Sequence, residues 1–338
     1  MDFSDFPILY RGLFMLGLLC MASCASAPRS HVPGPLEGRV ICLDPGHGGT
    51  AKTDHFRVGP TGEREEWINL QVGLHLKEML EERGARVIMT RTEDVPVGLK
   101  ERALLAVDGK ADAFLSLHHN ATADPGVNFP IIYFHGNASE NQASVALAKC
   151  VGKRIREALF NGEGPVSIVS DYTIFPGGGT AVLRHSYGIP GAIGEASFFT
   201  CPEEEQRLKN DQYNRFEAKA YVKALEDFFS EPTPPIGEKF SLVKVPPFPV
   251  FQEADRKKPE AKLWREDFEK GEHLMKEGDR ASLEKALFHL DRSARSFPDS
   301  PVARKCHEHR ARVLELLDRP DDAAGEKNRV KEFYISFP

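Results

Sequence analysis

The chain has 338 residues, of which 28% are charged and 41% are hydrophobic, and its formal net charge is −6. This length is enough for one sizeable hydrophobic core and a second, smaller unit. The hydrophobic fraction excludes a disordered chain, and the charge balance excludes a strongly basic protein that binds polyanions. We therefore expect a folded protein with no nucleic-acid partner.

The first residues have the features of an export signal. The apolar run over residues 12–21 is too short to span a bilayer comfortably and is typical of a signal-peptide core. Met21-Ala22-Ser23-Cys24 resembles a bacterial lipobox, in which the cysteine becomes the lipidated first residue. Ordinary cleavage after Ala25-Ser26-Ala27 is the alternative. Both predict export to the cell envelope, at the periplasm or the cell surface. We favour a signal peptide at 1–24, a membrane anchor through a lipid on Cys24, and a tether at 25–37.

Segments with strand and helix patterns alternate after the tether. We expect strands at 39–43, 85–91 and 113–117 and helices at 63–83 and 97–109. This order predicts parallel strands joined by right-handed crossovers, so the carboxyl ends of the strands lie at one edge of the sheet.

The second half of the predicted catalytic domain, which we place at 38–230, is less regular. We expect a strand at 130–134, a helix at 140–159, a flexible loop at 161–180, short strands at 181–184 and 191–194, and helical residues at 203–229. The predicted fold class is α/β, with a mostly parallel twisted sheet flanked by helices, followed by a small all-α helical-repeat module.

The C-terminal part differs in composition. Residues 231–260 contain seven prolines and predict a stiff, extended linker. Residues 261–338 predict charged helices, in which 286–298 resembles the second helix and closing proline of a tetratricopeptide repeat and 302–324 resembles a second, partial unit. Two units are fewer than such arrays normally need. The module is either a docking element for a protein partner or a plain helical cap, and the sequence leaves both open.

Three side chains predict a metal site at the sheet edge. His47 follows the first strand, His118 follows the third, and Glu65 lies in the first turn of the helix 63–83, on its core-facing side. A carboxylate aimed at a core must be paired or bound to metal. Two imidazoles and one carboxylate with an open fourth position are typical of a hydrolytic zinc site. Glu66, about 100° around the helix, is expected to be solvated.

Glu195 is the predicted catalytic acid and base. It follows the short strand at 191–194, which brings it towards the same edge of the sheet. A carboxylate there can take a proton from water activated by the metal and return it to a leaving amine.

Four motifs over residues 39–229 resemble the zinc N-acetylmuramoyl-L-alanine amidases of the amidase-3 family. They are Asp44-Pro45-Gly46-His47-Gly48-Gly49, Gly62-Glu63-Arg64-Glu65-Glu66-Trp67-Ile68-Asn69-Leu70, Ser116-Leu117-His118-His119-Asn120-Ala121 and Gly194-Glu195. The resemblance implies that His47, Glu65 and His118 hold Zn²⁺ and that Glu195 is catalytic. It also implies cleavage of the amide between N-acetylmuramic acid and L-alanine in peptidoglycan, in wall remodelling, daughter-cell separation or turnover.

The chain departs from this family pattern in three places. Ala196-Ser197-Phe198 stands where the family usually has Leu-Gly-Phe, and His119 stands where alanine is usual. We interpret His119 as a residue of the site's rim and not as a fourth ligand. Between residues 120 and 130 there is no room for the inserted helix that plugs the zinc site in some members. Arg91 and Arg184 either contact the acidic stem peptide or form ion pairs on the surface, and we expect the surface ion pairs, which are commoner for lone arginines.

Two other functions remain open beside the amidase. One is a zinc peptidase or deacylase that acts on another amide, and the other is a catalytically silent protein that binds peptidoglycan as a scaffold. A catalytically silent protein would lack a metal ligand or the catalytic carboxylate, but this sequence has candidates for all of them. A disulfide between Cys150 and Cys201 is also left open.

Overall fold

The computed structural model describes residues 33–53, 57–256 and 258–337. The predicted signal peptide, the lipid site at Cys24, the alternative cleavage after Ala27 and most of the tether lie outside these residues. Residues 34–338 form one compact unit. None of the helices in the described part of the chain is both long and apolar enough to cross a bilayer.

A seven-stranded sheet forms the centre of this unit. Its strands are β1 (Val40–Pro45), β2 (Arg86–Met89), β3 (Ala113–Asn120), β4 (Ile131–Phe134), β5 (Ser167–Ser170), β6 (Gly191–Phe198) and β7 (Tyr334–Ile335). Their order across the sheet is β2-β1-β3-β6-β4-β5-β7. Adjacent strands are parallel except where β4 meets β6 and where β7 meets β5. The mostly parallel sheet predicted from the strand and helix order is therefore confirmed.

Eleven α-helices surround the sheet in the described residues. They are α1 (Glu65–Glu81), α2 (Leu99–Asp108), α3 (Gln142–Leu159), α4 (Ala181–His185), α5 (Pro202–Leu208), α6 (Asp211–Phe229), α7 (Glu253–Arg256), α8 (Trp264–Glu277), α9 (Arg280–Ser296), α10 (Ala303–Leu316) and α11 (Pro320–Phe333). Short 3₁₀ turns occur at Asp171–Thr173 and Pro259–Leu263.

The two faces of the sheet have different covers. Alternate residues of a strand point to opposite faces, so Ile41 and Leu43 of β1 pack on one side with α1, α3 and α6. Cys42 packs on the other side, where the cover includes Trp264, Phe297 and other apolar residues of α8–α11. The C-terminal helices therefore complete the core of the sheet.

Several predicted elements differ in the structure. Residues 181–184, predicted as a strand, form most of α4, because a short apolar run does not distinguish a strand from a helix. The predicted loop 161–180 contains β5. The predicted helical segment 203–229 is divided into α5 and α6, and the side chain of Asn210 caps α6 by accepting a hydrogen bond from the N–H of Gln212. Cys150 and Cys201 are both free thiols.

The proline-containing segment 231–260 has little regular structure, as its composition predicts, but it is bonded to the rest of the unit. The carboxylate of Glu140 accepts hydrogen bonds from the N–H groups of Phe240 and Leu242, each at 2.9 Å. The N–H of Gly237 donates to the carbonyl of Glu140 at 2.6 Å. These bonds place the segment against the beginning of α3.

Candidate active site

The three predicted ligand residues meet at the carboxyl edge of β1 and β3. His47 Nε2 lies 3.1 Å from Glu65 Oε2, and His118 Nδ1 lies 3.0 Å from Glu65 Oε1. One donor atom from each residue can be chosen so that all three lie within 4.8 Å of one another. The Glu65 side chain is 5% exposed, whereas His47 and His118 are 23% and 17% exposed. The site is therefore enclosed on the Glu65 side and open on the side of the imidazoles.

The backbone after β1 has an unusual conformation that brings His47 to this position. His47 has a φ of 59°, and Gly48 and Gly49 also have positive φ, a region that glycine adopts freely and that other residues adopt uncommonly. Arg102 donates to the carbonyls of Pro45 and His47 and to Asp44 Oδ1. Contacts from outside the turn thus hold its carbonyls in place.

Arg91 supports the same turn, and the expectation that it is ion-paired on the surface is wrong. It is 3% exposed and donates to the carbonyls of Pro45 and Gly46 at 2.8 and 2.9 Å. Burial, with a smaller effect of the nearby Arg102 charge, lowers the pKa of Arg91 to about 10. Arg184 is exposed, but its Nη1 donates to the carbonyls of Gly178 and Gly179.

The charges at the site favour an ionised Glu65. Burial disfavours its carboxylate, but His47 and His118 outweigh this effect and hold the pKa of Glu65 well below its ordinary value. Burial lowers the pKa of His47, although Glu65 opposes the shift. Burial would lower the pKa of His118 too, but the hydrogen bond and charge of Glu65 and the charge of Glu195 outweigh it and raise that pKa. The ionised Glu65 and the neutral form that His47 favours are the states in which these groups bind a metal, and His118 would have to lose its proton to do so.

Glu195 lies beside this cluster on β6. In the parallel register of β3 and β6 it is opposite His118. Its Oε2 is buried and has no hydrogen-bond partner among the described residues. Burial raises the pKa of Glu195 to about 7, with the positive charge of His118 opposing the rise. A carboxyl group of this kind can gain and lose a proton near neutral pH.

His119 is buried, so its interpretation as a rim residue is wrong. It is 1% exposed, with Nδ1 2.9 Å from Asn69 Oδ1 and Nε2 3.0 Å from Glu217 Oε2. Asn69 Nδ2 in turn donates to Glu65 Oε1 at 3.2 Å. His119 belongs to a second layer around Glu65, which includes Asn69 and Glu217. Asn69 lies within one of the four sequence motifs but is given no role there, and nothing in the sequence points to Glu217. The alternation of side chains along β3 is the signal that separates His119 from His118.

Glu66 is fully buried, contrary to the expectation that it is solvated. Arg64 Nε donates to its Oε1 at 2.7 Å, and Thr50 Oγ1 lies 3.3 Å from the same oxygen. The loop before α1 therefore covers this side of the helix, which periodicity within the helix does not reveal.

A groove of about 450 Å³ leads to His47 and His118. One wall comes from the segment before α2 and from its first turn, and the other comes from Phe175 and the region of α4. The first wall includes Leu99 and Arg102, and the second includes Phe175, Gly179, Thr180 and Arg184. A substrate that enters this groove would pass between these walls.

The donor set fits zinc. Two imidazole nitrogens and one carboxylate oxygen, open to a groove, are the ligand types of a catalytic zinc site, whereas magnesium and calcium prefer sites made of oxygen. The unpartnered Oε2 of Glu195 belongs to the residue opposite His118 in the sheet, and catalytic sites place a proton carrier beside the metal in this way.

Comparisons with known proteins agree with this geometry. Residues 41–227 match the family Amidase_3, described as N-acetylmuramoyl-L-alanine amidase. The chain is 28% identical over 225 residues to the uncharacterized protein YqiI of Bacillus subtilis (strain 168), covering 66% of this chain and 99% of that protein. It is 30% identical over 197 residues to the probable cell wall amidase LytH of Staphylococcus aureus, covering 58% of this chain and 60% of that protein.

A solved structure shows the same fold. The N-acetylmuramoyl-L-alanine amidase from Clostridium difficile 630 is similar to this chain with a TM-score of 0.51 and 27% identity, over 58% of this chain and 98% of that one. The family match ends within α6, so α8–α11 lie outside it.

Proposed function

We propose, from the premise that the chain belongs to the N-acetylmuramoyl-L-alanine amidase family, that it is a zinc-dependent hydrolase of peptidoglycan. The bond that it cleaves is the amide between N-acetylmuramic acid and L-alanine. The observation that carries this proposal is the meeting of His47, Glu65 and His118 beside Glu195 at the end of an open groove. Wall remodelling, daughter-cell separation and turnover are the processes that such cleavage serves.

His47, Glu65 and His118 are the residues that would hold the zinc ion. A zinc ion bound there supplies a Lewis acid that polarises a carbonyl group and lowers the pKa of water. The contacts of Glu65 with both imidazoles orient the two rings, and Asn69 fixes the carboxylate from the second layer.

Glu195 carries the proton in this mechanism. Its carboxylate takes a proton from the attacking water as the new C–O bond forms at the lactyl carbonyl carbon. It then gives that proton to the amide nitrogen as the C–N bond breaks, so that L-alanine leaves as a free amine and Glu195 returns to its starting state. The pKa of about 7 suits both transfers near neutral pH.

The proposal extends to location and organisation. Export and a lipid on Cys24 would place the catalytic residues of 38–230 at the cell envelope, where peptidoglycan lies, and the name of LytH as a probable cell wall amidase supports this location.

Residues 231–260 then join the catalytic residues to the helices of 261–338. We propose that these helices are tetratricopeptide-like and dock a protein partner, with a plain helical cap as the alternative.

Analysis of reaction products tests the proposed activity. The chain from residue 34 to 338 is incubated with isolated peptidoglycan, with zinc or with a chelator, and the soluble products are identified by mass spectrometry. We expect release of stem peptides with a free L-alanine amino terminus, dependent on the metal. Peptides that begin at another residue would favour the peptidase or deacylase, and no release with zinc bound would favour the silent scaffold.

Replacement of the proton carrier tests the mechanism. We expect Glu195→Gln to lower kcat by about 10²- to 10⁴-fold, because the amide cannot take the proton. Zinc content, measured by elemental analysis, should be unchanged, since the proposed ligands remain. Glu203→Gln, an exposed glutamate at the beginning of α5, is the matched control and should keep full activity. Loss of zinc from Glu195→Gln would show that Glu195 acts as a ligand.

A further inference from the structure

A second buried cluster lies behind the α4 wall of the groove. His135 and Asp171 are 1% and 0% exposed, and His135 Nδ1 lies 2.9 Å from Asp171 Oδ2. The same oxygen accepts hydrogen bonds from the backbone N–H of Thr180 at 2.7 Å and from its hydroxyl at 2.8 Å. Asp171, which does not line the groove, therefore binds Thr180, the residue of this wall that directly precedes α4.

Asp171 also determines how α4 begins. Thr180 is the residue before α4, but its side chain makes no capping bond to the helix, because the hydroxyl is bound to Asp171. Gly179 has a φ of 64°, and a Cβ there would lie 2.5 Å from Asp171 Oδ2. The turn is thus packed directly onto this carboxylate. Arg184 Nη1 also binds the turn, by donating hydrogen bonds to the carbonyls of Gly178 and Gly179.

The far side of His135 contacts the proline-containing segment. Lys239 Nζ lies 3.1 Å from His135 Nε2. With Nδ1 donating to Asp171, Nε2 is the free acceptor of a neutral ring, and it accepts from the Lys239 ammonium group. The same ammonium group lies 4.5 Å from the centroid of the Tyr187 ring, and the Tyr187 hydroxyl donates to the carbonyl of Gly237 at 2.9 Å.

These contacts form a continuous chain of hydrogen bonds from the segment 231–260 to the groove. We propose that Lys239 is a positioning residue that, through His135 and Asp171, fixes the Thr180–Arg184 wall against which the substrate lies. The inference rests on the proposed function for its effect on catalysis. Its consequence is that the position of the segment leading to α8–α11 affects how well the groove fits its substrate.

Hydrogen exchange tests the proposal without reference to any reaction. The probe is the Thr180 amide, which donates to Asp171. We expect Lys239→Met, which keeps the aliphatic stem but removes the donor, to speed exchange of this amide about tenfold. The amide of Leu115 in the core strand β3 should be unchanged, which would exclude a global loss of stability. Lys244→Met is the matched control, because Lys244 is an exposed lysine of the same segment, and it should exchange like the wild type.

Steady-state kinetics on peptidoglycan fragments test the effect on the groove. We expect Lys239→Met to lower kcat/KM about fivefold, mainly through a higher KM, with zinc affinity unchanged. Lys239→Arg should restore most of the loss. His135→Asn keeps a donor for Asp171 but removes the ring nitrogen Nε2 that accepts from Lys239, so the double variant should be no worse than His135→Asn alone.

The outcomes separate the two proposals. If Lys239→Met and Lys244→Met give the same exchange at Thr180, or if the effects of Lys239→Met and His135→Asn simply add, the positioning role is wrong. If the wild type releases no peptides while the Thr180 amide responds to Lys239→Met, the positioning role stands and the proposed amidase activity fails.

Discussion

At the scale of single residues, the site depends on the close approach of the backbone at Gly46 to the ring of His118. A Cβ placed on Gly46 would fall inside the imidazole of His118, much closer than any van der Waals contact. Gly46 is therefore required because there is no space for a side chain at this position. Any larger residue has to displace one of the proposed metal ligands.

Gly46→Ala is expected to weaken zinc binding at least tenfold, because His118 must leave the position that faces Glu65 and His47. The measurement is a competition titration against a chromophoric chelator. Gly98→Ala serves as the control, since a Cβ at that position meets its nearest atom at 3.7 Å. An unchanged zinc affinity in Gly46→Ala would mean that His118 is not a ligand.

The residues at the site differ in how far the sequence could predict them. His47, Glu65, His118 and Glu195 lie where strand ends and helix phase place them, and the structure brings all four together. The burial of Glu66 and His119 depends on contacts from other segments. Periodicity gives the direction of a side chain, but Glu217, almost a hundred residues away from His119, decides what covers it.

At the scale of elements, α10 and α11 are joined by a buried charged network. His307 and Glu326 are 0% and 6% exposed and form a short hydrogen bond. Arg310 Nη2 donates to Glu326 Oε1 at 3.3 Å, and Arg329 lies beside the other oxygen. Burial alone would raise the pKa of Glu326, but these partners hold it at about 2. Burial lowers the pKa of His307, so the neutral ring pairs with the carboxylate.

Because of this network, the free energy of unfolding is expected to fall as the pH is lowered. The folded pKa of Glu326 is below its ordinary value of 4.5, so its contribution is complete above pH 4.5 and is lost as the pH falls towards 2. His307 affects stability in the same direction. Because burial lowers its pKa in the folded protein, the unfolded chain binds a proton at this ring more readily, and acid therefore favours unfolding. The helical region should therefore lose stability in acid.

Glu326→Gln is expected to lower the free energy of unfolding by about 3 kcal/mol at pH 7. The difference from the wild type should shrink between pH 5 and pH 3, where the wild type loses the same contribution. Urea unfolding followed by circular dichroism at pH 7, 5 and 3 measures both. Glu315→Gln, at an exposed position of α10, should stay within about 0.5 kcal/mol of the wild type. A difference that is equal at all three pH values would contradict the assignment.

Long elements with a clear pattern were predictable, and short ones were not. β1, β3, α1 and α3 carry buried apolar residues at regular spacing, which local sequence reveals. α4 has five residues, and β7 has two. Elements of this length are determined by the partner that they pack against, which for β7 is the edge of β5.

At the scale of the whole molecule, the helices α8–α11 and the sheet share one core. The ring centroid of Phe297 lies 5.3 Å from that of Trp264 and 6.1 and 6.4 Å from those of Phe129 and Phe198. Tyr133 of β4 forms a short hydrogen bond with Asp299. Composition predicts that a proline-containing segment and then charged helices follow residue 230. It does not predict that these helices pack on the sheet, because the contacts join residues far apart in the sequence.

Phe297→Ala is expected to lower the free energy of unfolding by about 3 to 5 kcal/mol, because it opens a cavity between the sheet and the helices. The loss should appear in a single transition, seen equally by tryptophan fluorescence and by circular dichroism. Phe288→Ala, at a position that is 58% exposed in α9, should change stability by less than about 1 kcal/mol. Two separate transitions, with only one of them shifted, would indicate that the helices fold independently of the sheet.

The antiparallel pairing of β7 with β5 has a consequence for how the protein is made. A chain is synthesised from its N-terminus, so β1–β6 leave the ribosome long before residues 334–335. Until those residues arrive, β5 presents an unpaired edge, and the sheet face that carries Cys42 lacks the part of its cover that comes from α8–α11. An unpaired strand edge is a template for pairing with another chain, so we expect incomplete chains that end before β7 to aggregate more readily than the full chain. Removal of residues 334–335 from the folded protein would expose the same edge of β5 again.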